Sequence, residues 1–412
     1  MDAAYSTPPG RPCEAAASRY RARMDATPND HPDAELAARL DPVLDRAVDR
    51  GGIVGAVVMA ARGGRVVYRR AAGWADREAG RAMRTDALFL LSSVTKPAVA
   101  LAALSLAESG RLALDEPVTR WLPEFRPRLP GGDAPAICAR QLLLHTAGLA
   151  YPGSLEHGAP YRAAGVSNGL DGEFTTLAEN LRRIASVPLV ARPGERWIYS
   201  LATDVLGAVV EGVTGESLDR ALRRLVLEPL GMADSGFAVA DPARRVTHYA
   251  DGPAGGAGPI VMPARHPIVF EDGGTFEFAP GRIDAPAAYP SGGGGMAGSA
   301  GDVLRLLEAI RTGHPGVLSA DGAARMREDR VGAAAETHAP GWGFGYAGAV
   351  LVDPTADDTP QSPGTVTWGG VYGHTWFIDP TRELTVLTMT NTAVEGLFGP
   401  FPIEVRNAVY AA

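Results

Sequence analysis

The sequence predicts an α/β (α+β) fold in which one antiparallel sheet is built from both ends of the chain. Near the N-terminus, apolar runs at 53–60 and 65–73 flank Arg62-Gly63-Gly64, a pattern typical of a β-hairpin. Near the C-terminus, a closing set of antiparallel strands is predicted at 365–368, 375–378 and 384–390. Helices are expected to flank this sheet. Helical patterns also dominate between the two regions, so the middle of the chain is expected to be a mostly helical insertion.

The remaining elements follow from local periodicity. Apolar residues at helical spacing predict a helix over 34–50 that ends at Gly51-Gly52, and further helices are predicted at 201–213, 218–226, 296–311 and 402–410. Residues 241–290 are rich in Pro, Gly and Asp, which predicts a long loop region. The expected organisation is a polar lead-in (1–33), an α/β sheet domain (34–113 with 291–412) and a mostly helical domain with long loops (114–290).

Composition narrows the class of protein. A chain of 412 residues and 43.0 kDa is too large for one simple core. A net charge of −8 and a pI near 5.6 argue against a nucleic-acid partner or an anionic membrane surface. The N-terminal residues lack a secretory signal pattern, so a cytoplasmic location is expected. Cys13, Cys138 and the eight histidines show no metal-ligand spacing, so neither a metal nor a cofactor is expected.

Lys96 is the only lysine among 39 basic residues. A chain that uses arginine for every other cation keeps lysine where arginine cannot substitute, and a buried amine, unlike a guanidinium, can give up its proton. Ser93 lies three residues before Lys96, so a helix that begins here places the hydroxyl and the amine on one face. This S-x-x-K pattern is that of a hydroxyl nucleophile beside a basic amine.

The flanking residues predict such a helix. An apolar run at 88–91 leads into the motif, and the strong helix-forming run 98–104 follows it. Pro97 is tolerated only in the first turn of a helix, where its missing N–H would be unpaired anyway. The helix is therefore predicted to begin near Ser93, with the hydroxyl at the positive end of the helix dipole.

Five motifs in this order carry a resemblance to a known family: Ser93-Val94-Thr95-Lys96, Leu142–Leu149, Glu228–Met232, Gly295–Asp302 and Trp368-Gly369-Gly370. With them the chain resembles the serine β-lactamase and penicillin-binding superfamily. Within that superfamily it is similar to the family VIII carboxylesterases, which are relatives of the class C β-lactamases. The resemblance runs from about residue 35 to the C-terminus and implies a β-lactamase-like fold.

The resemblance also implies roles for individual residues. Ser93 matches the nucleophile, Lys96 the buried amine, and Tyr199 the second-motif tyrosine, which can relay the proton of the serine. Trp368, Gly369 and Gly370 match the third motif. The backbone N–H of Val371, which follows, and that of Ser93 are the expected oxyanion donors.

Two positions depart from the usual pattern. Leu201 stands where the second motif usually has asparagine, and Trp368 stands where the third motif usually has a cation. In the family these polar groups hold the amide and the carboxylate of a β-lactam. Their replacement predicts an apolar site better matched to a neutral ester than to a β-lactam or a peptide.

Other residues compete for a catalytic role. Ser167 lies in a G-x-S-x-G sequence, but the strand and the helix that a nucleophile elbow requires are not predicted around it, so a loop is expected. His145 is expected to be structural. His374, near the third motif, is expected to take a structural position or to form part of the pocket wall, because Tyr199 already fills the position of the base.

These observations predict a serine esterase that hydrolyses small or short-acyl carboxylic esters through an acyl-enzyme on Ser93, with a small-molecule ester as its partner. Three alternatives stay open. They are an acyltransferase that uses the same intermediate, a β-lactamase or D-amino-acid peptidase, and a penicillin-recognising sensor that acylates without turning over. The oligomeric state is not predicted.

Overall fold

A computed structural model describes residues 33–252, 258–270 and 273–411, and within these ranges the largest sheet has eight antiparallel strands. In spatial order the strands are β10 (Trp342–Phe344), β11 (Ala349–Leu351), β12 (Val366–Gly370), β13 (His374–Asp379), β14 (Leu384–Thr390), β1 (Gly55–Arg62), β2 (Arg65–Asp76) and β3 (Arg81–Ala82). The predicted antiparallel sheet is confirmed.

The two ends of the chain meet at the centre of this sheet. Strand β1 pairs with β14 from Ala56 opposite Thr390 to Arg62 opposite Leu384. Successive side chains of a strand point to opposite faces. Accordingly, Val57 and Met59 join the main core on one face, while Ala56 and Val58 join a second core on the other. Burial on both faces accounts for the nearly continuous apolar sequence of β1.

Helices cover both faces. Helix α1 (Ala34–Asp49) begins at Asp33, whose carboxylate accepts a hydrogen bond from the Leu36 N–H at 3.0 Å. It packs with the C-terminal helix Pro400–Tyr410 on one face. The S-x-x-K motif leads into α2 (Thr95–Glu108), which is apolar on nearly every side and lies in the main core. The helix Ala300–Thr312 packs beside it against β1 and β14.

Short helices fill the middle of the chain, at Ala139–Leu143, Gly158–Ala163, Leu177–Ser186, Ala202–Thr214, Leu218–Leu222 and Glu228–Leu230. Two more follow later in the sequence, at Ala320–Arg327 and Glu395–Phe398. The division into a sheet domain and a helical domain stays a prediction. None of the helices in the described part of the chain is both long and apolar enough to cross a bilayer.

The predicted loop region at 241–290 is partly wrong, because it contains the short strands β5 (Tyr249–Ala250), β6 (Ile260–Val261), β7 (His266–Val269) and β8 (Thr275–Phe278). Strands β7 and β8 form a hairpin. The helix predicted from residue 296 begins only at Ala300, because β9 (Ala297–Ser299) pairs with β4 (Leu88–Leu90). Strands β10 and β11 were not predicted. Strand β15 (Thr392–Ala393) pairs with β5.

Candidate active site

Ser93 is presented by a sharp turn at the end of β4. The residue before it, Ser92, is fully buried and has a φ of +44°. A non-glycine residue in this left-handed region is strained, and such strain is typical of functional sites. A single 3₁₀ turn (Ser92–Val94) then joins α2, which places Ser93 at the N-terminal end of that helix. The Ser93 side chain is thereby fixed in position while the residue keeps 8% of its surface exposed.

Lys96 lies one turn further along, with its amine directed back toward Ser93. The Nζ atom is 3.1 Å from Ser93 Oγ, 3.0 Å from the Tyr151 hydroxyl and 2.7 Å from the carbonyl oxygen of Gly293. The residue is 7% exposed. Three partners match the three hydrogen-bonding positions of an amine, so its location relative to Ser93 is tightly defined.

Tyr199 contacts the same serine from the opposite side. Its hydroxyl donates to Ser93 Oγ at 2.8 Å, and Trp368 Nε1 donates to the Tyr199 oxygen at 3.3 Å. The Lys96 amine also lies over the Tyr199 ring, 4.9 Å from its centroid. The structure therefore brings together Ser93, Lys96, Tyr199 and Trp368, which come from three distant parts of the sequence.

The segment that carries Tyr199 is held by His145. The Ile198 N–H donates to the His145 carbonyl at 2.8 Å, and the Ser200 N–H donates to His145 Nδ1 at 3.3 Å. Burial, together with the nearby charge of Lys96, holds the pKa of His145 well below its usual range. A neutral ring with an accepting Nδ1 fits the contact with the Ser200 N–H, and this is a structural position.

The third motif forms the end of β12. A Cβ atom on Gly370 would lie 2.5 Å from Ser92 Oγ and 2.6 Å from the Leu91 carbonyl oxygen, so only glycine allows the strand to approach the nucleophile turn this closely. Gly369 is equally confined, because a Cβ atom there would collide with the Leu397 side chain and the His374 carbonyl oxygen. Val371 follows at the edge of the site and is half-buried.

Two residues next to the predicted pocket are fully buried. His374 is fully buried, and its Nε2 lies 2.9 Å from the Leu90 carbonyl oxygen, so it supports β4 from behind and does not line the pocket. Leu201 is also fully buried, in the main core before the helix Ala202–Thr214. The loss of the family's asparagine therefore removes a polar group without adding an apolar pocket wall.

We expect the stability cost of His374→Gln to shrink as the pH falls. Burial lowers the pKa of His374 from 6.5 to about 4, so between these values the unfolded chain binds more protons and the native protein loses stability on acidification. The glutamine side chain of the variant does not titrate. The difference in unfolding free energy between native protein and variant should therefore fall by about 2 kcal/mol between pH 7 and pH 5.

Urea unfolding of both proteins at the two pH values measures this difference, and titrating groups that do not interact with His374 cancel in the comparison. A cost that does not change with pH would contradict the assignment of His374 as a buried neutral ring.

Tyr151 was missed by sequence reasoning. Its hydroxyl accepts from the Lys96 amine, its ring lies 5.5 Å from that of Tyr199, and burial raises its pKa well above the ordinary value. It follows the Leu142–Leu149 motif by two residues, but a tyrosine at that spacing carries no signal of its own. Only the fold, which returns this loop to Lys96, identifies it.

Asp204 was missed as well. Its carboxylate is fully buried in the first turn of the helix Ala202–Thr214, and neither oxygen reaches hydrogen-bond geometry. Burial raises its pKa, while the Ser291 hydroxyl, the charge of Lys96 and the Gly293 N–H oppose that shift from nearby. A Cβ on Gly293 would lie 2.6 Å from Asp204 Oδ2, so the carboxylate lies directly behind the loop that accepts from Lys96.

Ser167 has the surroundings of a structural residue and not those of a nucleophile. Its side chain is fully buried, its hydroxyl donates to Asp171 Oδ1 at 2.7 Å, and it accepts from the Gly169 N–H at 3.1 Å. Neither a strand nor a helix includes residues 164–176. The hydroxyl therefore stabilises a loop, as expected from the sequence. Among the described residues Cys138 is a free thiol, whereas Cys13 lies outside them.

Comparison with known proteins identifies the family to which the chain belongs. The beta-lactamase family profile matches residues 40–405. The chain belongs to the beta-lactamase family. The resemblance inferred from the five motifs is thereby confirmed, and so is the β-lactamase-like fold.

Its relatives include an esterase, a hydrolase and an acyltransferase. The chain is 54% identical over 392 residues to Esterase EstB of Burkholderia gladioli, covering 95% of this chain and 99% of the relative. The solved structure of EstCE1, described as a hydrolase with promiscuous acyltransferase activity, matches 92% of the chain with a TM-score of 0.89 and 46% identity and is covered over 99% of its length. Acyltransferase calJ of Penicillium decumbens is 26% identical, covering 89% of this chain and 91% of that protein.

Proposed function

We propose that this protein is a serine carboxylesterase that works through an acyl-enzyme on Ser93. One observation carries the proposal: Ser93 Oγ lies 3.1 Å from the Lys96 amine and 2.8 Å from the Tyr199 hydroxyl, within the range over which protons transfer. A serine hydroxyl is a weak nucleophile on its own and needs such a base beside it. The 54% identity to an esterase along nearly the whole chain supports the same function.

In the acylation step Ser93 Oγ attacks the ester carbonyl carbon and gives its proton to the Lys96–Tyr199 pair. The tetrahedral intermediate then collapses, its bond to the alcohol oxygen breaks, and the proton passes from Tyr199 to the departing alcohol. Water repeats the sequence in reverse and releases the acid. The Trp368 indole N–H donates to the Tyr199 oxygen and holds the phenol in position beside Ser93.

The negative charge that develops on the carbonyl oxygen needs preorganised donors. We assign this role to the backbone N–H groups of Ser93 and Val371. Ser93 lies at the N-terminal end of α2, and Val371 follows the glycine that packs against Ser92. The strand that ends at Gly370 packs directly against Leu91 and Ser92, which supports this assignment because it places the backbone before Val371 beside the backbone before Ser93.

The expected substrates are small or short-acyl esters that carry no carboxylate. In the described part of the chain, no cation near Ser93 is free to bind a substrate carboxylate. Lys96 is occupied by three partners, and Trp368 replaces the family's third-motif cation. An apolar site binds a neutral ester without leaving polar groups unpaired.

We expect kcat/KM for p-nitrophenyl acetate or butyrate to exceed that for opening of the nitrocefin lactam ring by at least about 100-fold, or roughly 2.7 kcal/mol of transition-state discrimination. Trp368→Lys should narrow this ratio by restoring a cation. The matched control is Trp74→Lys, at a tryptophan that is 41% exposed on β2, and it should leave the ratio unchanged. Equal or better hydrolysis of nitrocefin would make the protein a β-lactamase.

Two other interpretations are separated in the same assay. Steady release of nitrophenol over many turnovers indicates an enzyme, whereas one stoichiometric burst indicates a penicillin-recognising sensor. Acyl transfer is the second candidate, because EstCE1 is described with that activity and matches most of the chain. Added alcohol that is recovered as a new ester would demonstrate it. A cytoplasmic location stays a prediction, which cell fractionation would test.

A further inference from the structure

Four aromatic side chains form a continuous row from the active site to the surface. Tyr151, which contacts both Lys96 and Tyr199, lies 5.6 Å from Phe276 between ring centroids. Phe276 lies 5.3 Å from Phe270, and Phe270 lies 6.0 Å from Phe398. These four residues are called the aromatic row below. All three contacts are edge-to-face, the geometry that aromatic pairs prefer.

Backbone contacts hold the inner end of this row in place. Phe276 lies on β8, and the neighbouring Thr275 N–H donates to the Gly153 carbonyl at 2.9 Å, which ties the β7–β8 hairpin to the loop after Tyr151. A Cβ atom on Gly153 would lie 2.5–2.6 Å from three carbons of the Phe276 ring. Glycine at 153 therefore allows the ring to pack flat on the backbone beside Tyr151.

The outer end of the row is open to solvent. Phe398 is 61% exposed, and Phe270 and Phe276 are half-buried. Leu155, in the loop after Tyr151, and Val269, at the end of β7, are 66% and 67% exposed. Phe270 and Phe276 also pack in the same apolar cluster as Val371. The row therefore borders the reacting centre at one end and presents apolar surface to water at the other, as an entry for an apolar group would.

We propose that the aromatic row binds the alcohol portion of the ester and selects substrates whose alcohol is a medium-length alkyl or an aryl group. This inference rests on the proposed function. The proton for the departing alcohol comes from the Tyr199 hydroxyl, so the ester oxygen that leaves must lie beside that hydroxyl. The Tyr199 ring contacts Tyr151, the inner end of the row. A group attached to the leaving oxygen therefore continues along Phe276 toward Phe270 and Phe398.

A series of n-alkyl acetates from ethyl to octyl tests the proposal, with acetate release as the readout. The alkoxide basicity is nearly constant in this series, so only apolar contact changes. We expect kcat/KM of the native protein to rise by up to about fourfold per added methylene, the factor that corresponds to about 0.8 kcal/mol per buried CH₂. In Phe270→Ala and Phe398→Ala the rise per methylene should fall to less than about half of that factor.

Both substitutions are at exposed or half-buried positions, so the variants are expected to fold. Phe174→Ala is the matched control, because Phe174 is 54% exposed and lies outside the row, and it should keep the native slope. A second series, p-nitrophenyl esters of growing acyl length, should show the same slope in all proteins. If the variants lose the slope in the acyl series instead, or in neither series, the proposal is overturned. If the native protein hydrolyses no ester at all, the result contradicts the proposed esterase function and not only the role of the aromatic row.

Discussion

Ser93→Ala is expected to abolish ester hydrolysis, with a fall in kcat of at least about 10⁴-fold, because removing the nucleophile of a serine hydrolase leaves only binding and oxyanion stabilisation. The substitution leaves the Lys96–Tyr151 and Trp368–Tyr199 contacts in place. A fluorophosphonate probe should label the native protein on the peptide that contains Ser93 and should not label the variant, as peptide mass spectrometry would show.

Ser167→Ala is the matched control for this prediction. The Ser167 hydroxyl donates to Asp171 inside a loop, so its loss should lower the unfolding free energy by about 1 kcal/mol while activity stays within a few-fold of the native value. Probe label on Ser167, together with retained activity in Ser93→Ala, would overturn the assignment of the nucleophile.

The parts of the fold that the sequence predicted are those with a local pattern. Helix α1 has its cap, its apolar stripe and its terminal glycines within twenty residues. Strands β10 and β11 are three residues each and were missed, because Trp342-Gly343-Phe344 has no alternation over a useful length. The start of the helix at Ala300 could have been predicted from the sequence. Ser299 and Asp302 have the spacing of a helix N-cap, and the Ser299 hydroxyl accepts from the Asp302 N–H.

The residues of the candidate site also divide into those that a local pattern predicts and those that only the fold brings together. Ser93 and Lys96 lie one turn apart, so a local motif places them together. Tyr199 is 106 residues from Ser93 and was found only through the resemblance to a family. Tyr151 contacts Lys96, and Asp204 lies behind the loop at Gly293 that accepts from Lys96; both positions result from tertiary packing, which no spacing in the sequence encodes. The burial of His374 and Leu201 could not be predicted for the same reason, since each lies within a few residues of a site position and faces away from it.

Lys96→Arg is expected to retain a positive charge and to lose catalysis by at least about 10³-fold, because a guanidinium cannot accept a proton at working pH and because general base catalysis contributes about 10²–10⁴-fold. The larger head group also cannot keep all three contacts of the amine, which are 2.7–3.1 Å long. Lys96→Met removes the charge and the base without adding a larger head group, so a loss of similar size in this variant shows that the steric effect of arginine is not the cause.

The single lysine makes the test unusually direct. Because Lys96 is the only lysine in 412 residues, a protein grown with ¹³C-labelled lysine gives one side-chain resonance, and its titration reports this amine alone. If Lys96 accepts the proton of Ser93, the activity of the native protein should rise with pH along the same curve as the titration of this resonance. In Lys96→Arg the ascending limb should disappear with the activity. Near-native turnover in that variant would show that Lys96 acts only as a charge, and the proton of Ser93 would then have to pass to Tyr199 alone.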